Sequence, residues 1–225
     1  ALAFGLALAA VSVPMLFLVN LVTGLLGLVS LVSYVAVYTP LKRHTSMALL
    51  VGAVPGAMPP LMGWSTATGH VAQWGPGPTG SVGLGGFLLF AVLFLWQLPH
   101  FAAISIFRAE DYARAGLQVV SVQHGEAGAR RSIAVYAVLL VAASLLFVPL
   151  GIAGTGYAVV AAVTGIAFLG LALRGVTAVR SSAGVGLSGP RPQQFDVKRW
   201  AKMVFAASIP HLTLLVASLV ASAGR

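Results

Sequence analysis

The 225-residue sequence has no cysteine, and only four of its residues are acidic. The missing thiols exclude disulfides and thiolate metal sites, but they leave the redox compartment undecided. Charged residues of both signs make up 8% of the chain, whereas a soluble domain of this length carries about a quarter. Hydrophobic residues make up 59%. The composition therefore predicts an integral membrane protein in contact with a lipid bilayer.

The apolar residues are grouped in seven runs, each close to the roughly 20 residues that a membrane-spanning helix needs. Isolated strands would leave backbone groups unpaired in lipid, so these runs predict helices and an all-α polytopic fold. The predicted spans are residues 1–19, 21–38, 47–64, 84–107, 132–152, 155–174 and 200–221.

Every second loop between these spans is basic. Lys42 and Arg43 follow the second span, Arg108 and Arg114 follow the fourth, and five more basic residues follow the sixth. The intervening loops, including the Gly/Pro-rich residues 65–83, contain no Lys or Arg. The positive-inside rule predicts that the basic loops are cytoplasmic. It also accounts for most of the formal charge of +9, so we expect no nucleic-acid partner.

The fourth span carries polar groups along one predicted helical stripe. Gln97, His100, Ile104, Arg108 and Asp111 are spaced by three or four residues. Ionisable groups are costly inside a bilayer, so the stripe indicates a functional site, although a polar seam between helices has the same spacing. His100 by itself is compatible with a hydrogen-bonded core histidine, a proton carrier or an axial haem ligand.

Three of the four acidic residues lie in the basic loop after this span. Among them, Glu110 and Asp111 stand beside Arg108 and Arg114. Carboxylates without cysteines suit a hard cation such as Mg²⁺, which typically uses one or two carboxylates together with substrate phosphates. The Lys-Arg pair after the second span could supply further positive charge, although each cation alone is explained as a topology marker. The mixed charges on one side favour an anionic, metal-bound ligand.

The third span is unusual because it contains Pro55, Pro59 and Pro60 together with the small-xxx-small pair Gly52 and Gly56. Prolines remove backbone donors and bend helices, and paired glycines permit close packing. The pattern leaves open whether this span is a kinked packing helix or a helix opened to admit a ligand.

Five blocks of the sequence occur together in a recognisable order. They are YTPLKRHT (residues 38–45), GAMPPLMGW (56–64), WQLPHF (96–101), DY (111–112) and VSV (120–122). In these blocks, which extend over nearly the whole chain, the sequence resembles the protoheme IX farnesyltransferases. That family lies within the UbiA-type intramembrane prenyltransferase superfamily.

The resemblance implies a bundle of nine transmembrane helices around a central cavity, of which this chain would supply seven. It also implies transfer of a farnesyl group from farnesyl diphosphate to a vinyl group of heme b, with addition of water, to give heme o and pyrophosphate. A first metal motif would lie upstream of Ala1. We therefore expect residues 1–225 to be a single transmembrane prenyltransferase domain that is N-terminally incomplete and inactive alone.

The resemblance assigns roles to residues of the second acidic region and its surroundings. Asp111, with Glu110 beside it, would bind Mg²⁺. The residues expected to assist departure of the diphosphate are Asp111, Lys42, Arg43 and Arg108. The residues expected to bind substrate are Gln97, His100, Tyr112, Glu110 and Arg114, with His100 on the heme side. The expected location is a bacterial inner membrane, with heme a synthase or an oxidase-assembly protein as a partner.

Two alternatives remain open at the level of the sequence. One is another UbiA-type enzyme that prenylates a small aromatic ring, although the run WQLPH (residues 96–100) argues against it. The other is a non-enzymatic haem-handling or transport protein that uses the same polar stripe. Such a protein would need no prenyl diphosphate, so substrate-dependent release of pyrophosphate separates it from an enzyme.

Overall fold

The computed structural model describes residues 2–69, 73–76, 82–182 and 195–223. These residues form ten α-helices, one π-helical segment and a short antiparallel hairpin. The helices are α1 (Leu2–Val19), α2 (Leu21–Val32), α3 (Thr39–Leu41), α4 (Ala48–Thr68), α5 (Gly85–Phe107), α6 (Ala109–Arg114), α7 (Val120–Gln123), α8 (Gly125–Leu145), α9 (Thr155–Ser182) and α10 (Val197–Ala223). The π-helical segment Ser33–Tyr38 joins α2 to α3, and the hairpin pairs β1 (Gln73–Pro76) with β2 (Val82–Gly83).

The long helices form two groups that share α5. In the first group α5, α8, α9 and α10 form a closed bundle, because each helix packs against the next and α10 returns to α5. This bundle holds the main apolar core, in which the buried Trp200 donates its indole N–H to the carbonyl of Leu171 at 2.8 Å. In the second group α4 packs against α5, α2 against α4, and α1 against α2. The second group is less tightly filled, and the cavity described below lies within it.

The all-α polytopic fold predicted from the sequence is confirmed, and each predicted span overlaps a helix, the second span being α2 with its π-helical continuation. Among the described residues, five helices are long and apolar enough to cross a membrane. The predicted bounds of the fifth span are wrong at both ends, because α8 begins at Gly125 rather than at residue 132 and ends at Leu145 rather than at residue 152; α9 ends at Ser182, beyond the predicted residue 174. The added turns include Arg130, which is buried and lies 3.4 Å from the Glu126 carboxylate. An ion pair within the helix thus extends it beyond its apolar run.

The π-helical segment lies where α2 approaches the first basic loop. Pro40 follows it and has no N–H to donate to the carbonyl of Ala36, four residues earlier, which loosens the regular pattern of helical hydrogen bonds. The Thr39 backbone N–H and hydroxyl both donate to the carbonyl of Tyr34, five residues earlier, the hydroxyl at 2.9 Å. Single π-helical turns often occur at functional sites, and this one places Tyr34 and Tyr38 beside the cavity.

The three basic regions meet at one end of the bundle. The backbone N–H of Gln118, before α7, donates to the carbonyl of Lys42 at 3.0 Å. At the start of α10 the Lys198 ammonium lies 3.1 Å from the Glu110 carboxylate. At the other end the Asn20 amide donates to the carbonyl of Ser65 at 3.0 Å. The alternation of basic and neutral loops in the sequence therefore corresponds to the two ends of the folded chain.

Candidate active site

A cavity of about 760 Å³ lies between α1, α2, α4 and α5. Its volume is within the range of pockets that hold small-molecule ligands. Most of its wall is apolar, as at Leu16, Leu31 and Phe101, whereas Lys42 and Tyr112 line it at the end where the basic loops meet. The cavity thus has a long apolar part and one cationic mouth. This shape and polarity suit an anionic head group that carries a hydrocarbon chain.

Lys42 is held at this mouth by contacts on both its backbone and its side chain. Its carbonyl accepts the hydrogen bond from Gln118, and its ammonium lies 5.6 Å from the centre of the Tyr38 ring. The Tyr38 ring in turn lies against Gly52, where a Cβ atom would come within 2.7 Å of it. Gly52 therefore makes room for an aromatic side chain of the π-helical segment, which packs against α4. Arg43, next to Lys42, is exposed and does not line the cavity.

Gln97 lies deeper in the same wall, on α5. Its side chain is buried, and its amide nitrogen donates to the carbonyls of Leu93 at 3.1 Å and Ala53 at 3.4 Å. The amide oxygen lies beside Gly56, where a Cβ atom would come within 2.1 Å of it. Gly56 and Pro55 also line the cavity, so α4 contributes directly to the wall. Of the two readings of the third span, the structure therefore supports a helix that borders a ligand space.

His100 lies on a different face of α5. Its Nδ1 atom is 2.7 Å from the Ser208 hydroxyl of α10, and its ring packs between Trp96 and Phe205. His100 does not line the cavity, although its ring contacts the edge of Phe101, which does. On an α-helix with 100° per residue, His100 lies about 60° to one side of Gln97 and Phe101 about 40° to the other. The predicted polar stripe is therefore divided, because Gln97 faces α4 whereas His100 faces α10.

The acidic pair lies on α6, just outside the mouth. Asp111 forms ion pairs with Arg108 at 3.1 Å and with Arg114 at 2.5 Å. The hydrogen bond from Arg108, followed by the one from Arg114, lowers the pKa of the Asp111 carboxyl group. Glu110 points instead towards Lys198. None of these four side chains lines the cavity, whereas Tyr112, the residue after Asp111, does. The chain therefore brings Lys42, Gln97 and Tyr112 together at the cavity and places the ion pairs at its edge.

These acids bear on the expected divalent metal. Within the described residues, no three His, Asp or Glu side chains converge on one point. Asp111 is half-exposed and stays ionised, but each of its oxygens pairs with an arginine, so it could give a metal one hard oxygen ligand only by releasing Arg108 or Arg114. Glu110 and Asp111 are adjacent on a helix and point to different partners, so they do not form a two-carboxylate clamp.

The comparisons with known proteins agree with this geometry. Residues 1–184 match the UbiA prenyltransferase family. The chain belongs to that family. Over 224 residues it is 47% identical to a protoheme IX farnesyltransferase of Sorangium cellulosum, covering 99% of this chain and 70% of that protein. Protoheme IX farnesyltransferases of an Anaeromyxobacter species and of Myxococcus xanthus are 48% and 43% identical, each over 97% of this chain.

The chain spans about two thirds of the length of these relatives, 65% for the Anaeromyxobacter protein and 66% for the Myxococcus protein. No solved structure matches the chain. The resemblance of the five sequence blocks to the protoheme IX farnesyltransferases is therefore confirmed.

Several residues of this UbiA-family site were not predicted from the sequence. Tyr34 and Tyr38 line the cavity with their ring centres 5.1 Å apart, and Ser46 lines it from the loop before α4. A signal for the tyrosines was available, because Tyr34, Tyr38 and Lys42 recur every four residues and so share one helix face. Ser46 offered no such signal, since its position depends on how two loops meet.

Proposed function

We propose that the protein containing this chain is a protoheme IX farnesyltransferase, which transfers the farnesyl group of farnesyl diphosphate to a vinyl group of heme b and forms heme o. The observation that carries the proposal is the apolar cavity with Lys42 and Tyr112 at its mouth. It is supported by the names of the relatives, which match nearly the whole chain.

The cationic mouth is where the diphosphate would bind. Lys42 would contact it directly, and Arg43, Arg108 and Arg114 would add positive charge from the rim as negative charge develops on the leaving group. Asp111 would hold Mg²⁺ together with oxygens of the diphosphate, with Glu110 nearby on α6. Bound there, Mg²⁺ would supply Lewis-acid stabilisation of the departing pyrophosphate.

The apolar part of the cavity would hold the farnesyl chain and keep water away from the allylic cation. Gln97 and Tyr112 would orient the substrates, since both line the wall. His100 stands behind this wall and contacts Phe101, so we assign it an effect on the heme through the placement of that ring.

The protein is an integral membrane protein, as its long apolar helices and its family indicate. We place the end that bears Lys42 and Asp111 on the cytoplasmic side of a bacterial inner membrane, because the basic loops gather there. Heme o is modified further, so heme a synthase or an oxidase-assembly protein is the proposed partner.

The test uses the full-length protein in lipid nanodiscs with Mg²⁺, farnesyl diphosphate and heme b. We expect heme o and pyrophosphate to form together. Lys42→Gln should slow this transfer by about a hundredfold, since a group that stabilises transition-state charge contributes on that order. Arg43→Gln is the matched control and should have the smaller effect, because Arg43 does not line the cavity.

Two results would contradict the proposal. Prenylation of hydroxybenzoate in place of heme would identify another UbiA-type activity. Heme binding without any turnover of farnesyl diphosphate would identify a haem-handling protein.

A further inference from the structure

The hydration step of the proposed reaction releases a proton that must leave the cavity. When the vinyl group attacks the farnesyl C1 atom, the resulting cation on the porphyrin side chain takes up water, and the oxonium formed must lose one proton. The cationic carbon is two bonds from farnesyl C1, the atom that carried the diphosphate. The proton is therefore released near the mouth, where either the departing pyrophosphate or a side chain close to Lys42 must accept it.

Ser46 occupies such a position. It lies four residues after Lys42, its side chain is buried, and it lines the same cavity. Its hydroxyl oxygen is 3.1 Å from Nε2 of His124. His124 itself is exposed. The pair therefore connects the cavity wall to solvent through one hydroxyl and one imidazole.

Two features fix the pair in this arrangement. The backbone N–H of Ser46 donates to the side-chain oxygen of Gln123 at 2.6 Å, which ties the loop before α4 to the end of α7. At the start of α8, a Cβ atom on Gly128 would come within 2.6 Å of the His124 Cβ atom. The absence of a side chain at Gly128 therefore leaves room for His124 beside the helix.

We propose that Ser46 and His124 carry the proton from the hydration step out of the cavity, an inference that rests on the proposed function. The water oxygen bonds to the porphyrin-side cation and passes a proton to the Ser46 oxygen. The Ser46 hydroxyl proton moves to Nε2 of His124. The imidazolium then releases a proton to solvent, so both residues return to their starting state and the product is the neutral alcohol. Ser46 is the catalytic residue of this step, and His124 is a positioning residue that acts through it.

The test measures the partition of products in the full-length enzyme. Without an acceptor for the water proton, hydration reverses and the cation instead loses a carbon-bound proton, which gives an alkene lighter by one water. For Ser46→Ala and His124→Ala we expect about a hundredfold less alcohol, the usual contribution of a general base, with the alkene taking its place. Pyrophosphate release should fall much less than alcohol formation. Added imidazole should restore alcohol formation by His124→Ala.

The controls separate this role from a structural one. Ser46→Thr keeps a hydroxyl and should keep the alcohol as the main product. His44→Ala removes the exposed histidine of the loop that bears Ser46 and should behave as wild type. Ser46→Ala retains the backbone hydrogen bond to Gln123, and His124 is exposed, so neither replacement should unfold the protein.

A wild-type alcohol-to-alkene ratio in both Ser46→Ala and His124→Ala would overturn the inference, as would an equal effect of His44→Ala. If the wild-type enzyme forms no farnesylated heme, the proposed function itself fails. That result is distinguishable because it does not depend on any variant.

Discussion

Gly56→Ala tests how tightly the cavity wall depends on one missing side chain. The added Cβ atom would lie 2.1 Å from the Gln97 side-chain oxygen, whereas ordinary contacts begin at 3.4 Å. The amide must therefore retreat by more than 1 Å, which breaks its hydrogen bonds to the carbonyls of Leu93 and Ala53. The displaced amide has only the cavity to enter, since Gln97 is otherwise buried.

The expected cost follows from these two hydrogen bonds. Leaving buried polar groups unpaired costs about 1–3 kcal/mol, and the gain from replacing a helical glycine with alanine offsets about 1 kcal/mol of that. We expect Gly56→Ala to lower the free energy of unfolding by up to about 2 kcal/mol. The displaced side chain should also raise the KM for substrate.

Gly63→Ala is the matched control on the same helix, because nothing lies within 4 Å of a Cβ atom there. It should be neutral or slightly stabilising and should leave activity unchanged. The assay compares thermal unfolding in nanodiscs with farnesyl-transfer kinetics for both variants. In a Gln97→Ala background, Gly56→Ala should have no further cost, because the clash is gone. Equal stability and kinetics for Gly56→Ala and Gly63→Ala would refute the reasoning.

Three further predictions concern the ends and the back of the site. Asp111→Asn should lower farnesyl transfer by about a hundredfold, since the amide cannot replace a charged metal ligand; near-normal turnover at saturating Mg²⁺ would contradict this. Because Arg108 and Arg114 lower the pKa of Asp111 below its ordinary value of 3.8, its ion pairs should persist above that value and be lost only as the pH falls below it. Carboxyl ¹³C NMR at a series of pH values measures the pKa of Asp111, and a pKa above 3.8 would contradict this prediction. His100→Ala should lower the free energy of unfolding by about 2–4 kcal/mol through lost packing and the lost bond to Ser208, and its effect on heme use should be indirect. If His100→Ala changed the absorption spectrum of bound heme but left the free energy of unfolding unchanged, His100 would instead lie at the heme.

Much of the architecture could be predicted from the sequence because it depends on transfer between water and lipid. Each apolar run must form a helix in which the backbone groups hydrogen-bond to one another, and the basic loops must stay on the same side of the bilayer. Both constraints act locally along the chain. They account for a helix at each predicted span and for the gathering of Lys42, Asp111 and Lys198 at one end.

Which side chains meet at the site could only be decided by the packing of helices and loops. Gln97 and His100 are three residues apart on α5, yet Gln97 faces α4 and the cavity whereas His100 binds Ser208 of α10. Spacing cannot distinguish these faces, because α5 has neighbours on several sides and a 60° rotation exchanges one for another. Likewise Ser46 and His124 are 78 residues apart and meet only because two loops are tied together at the cavity mouth. Local sequence determined which segments form spans and at which end of the bundle the basic loops lie. Long-range packing determined which side chains meet in the cavity.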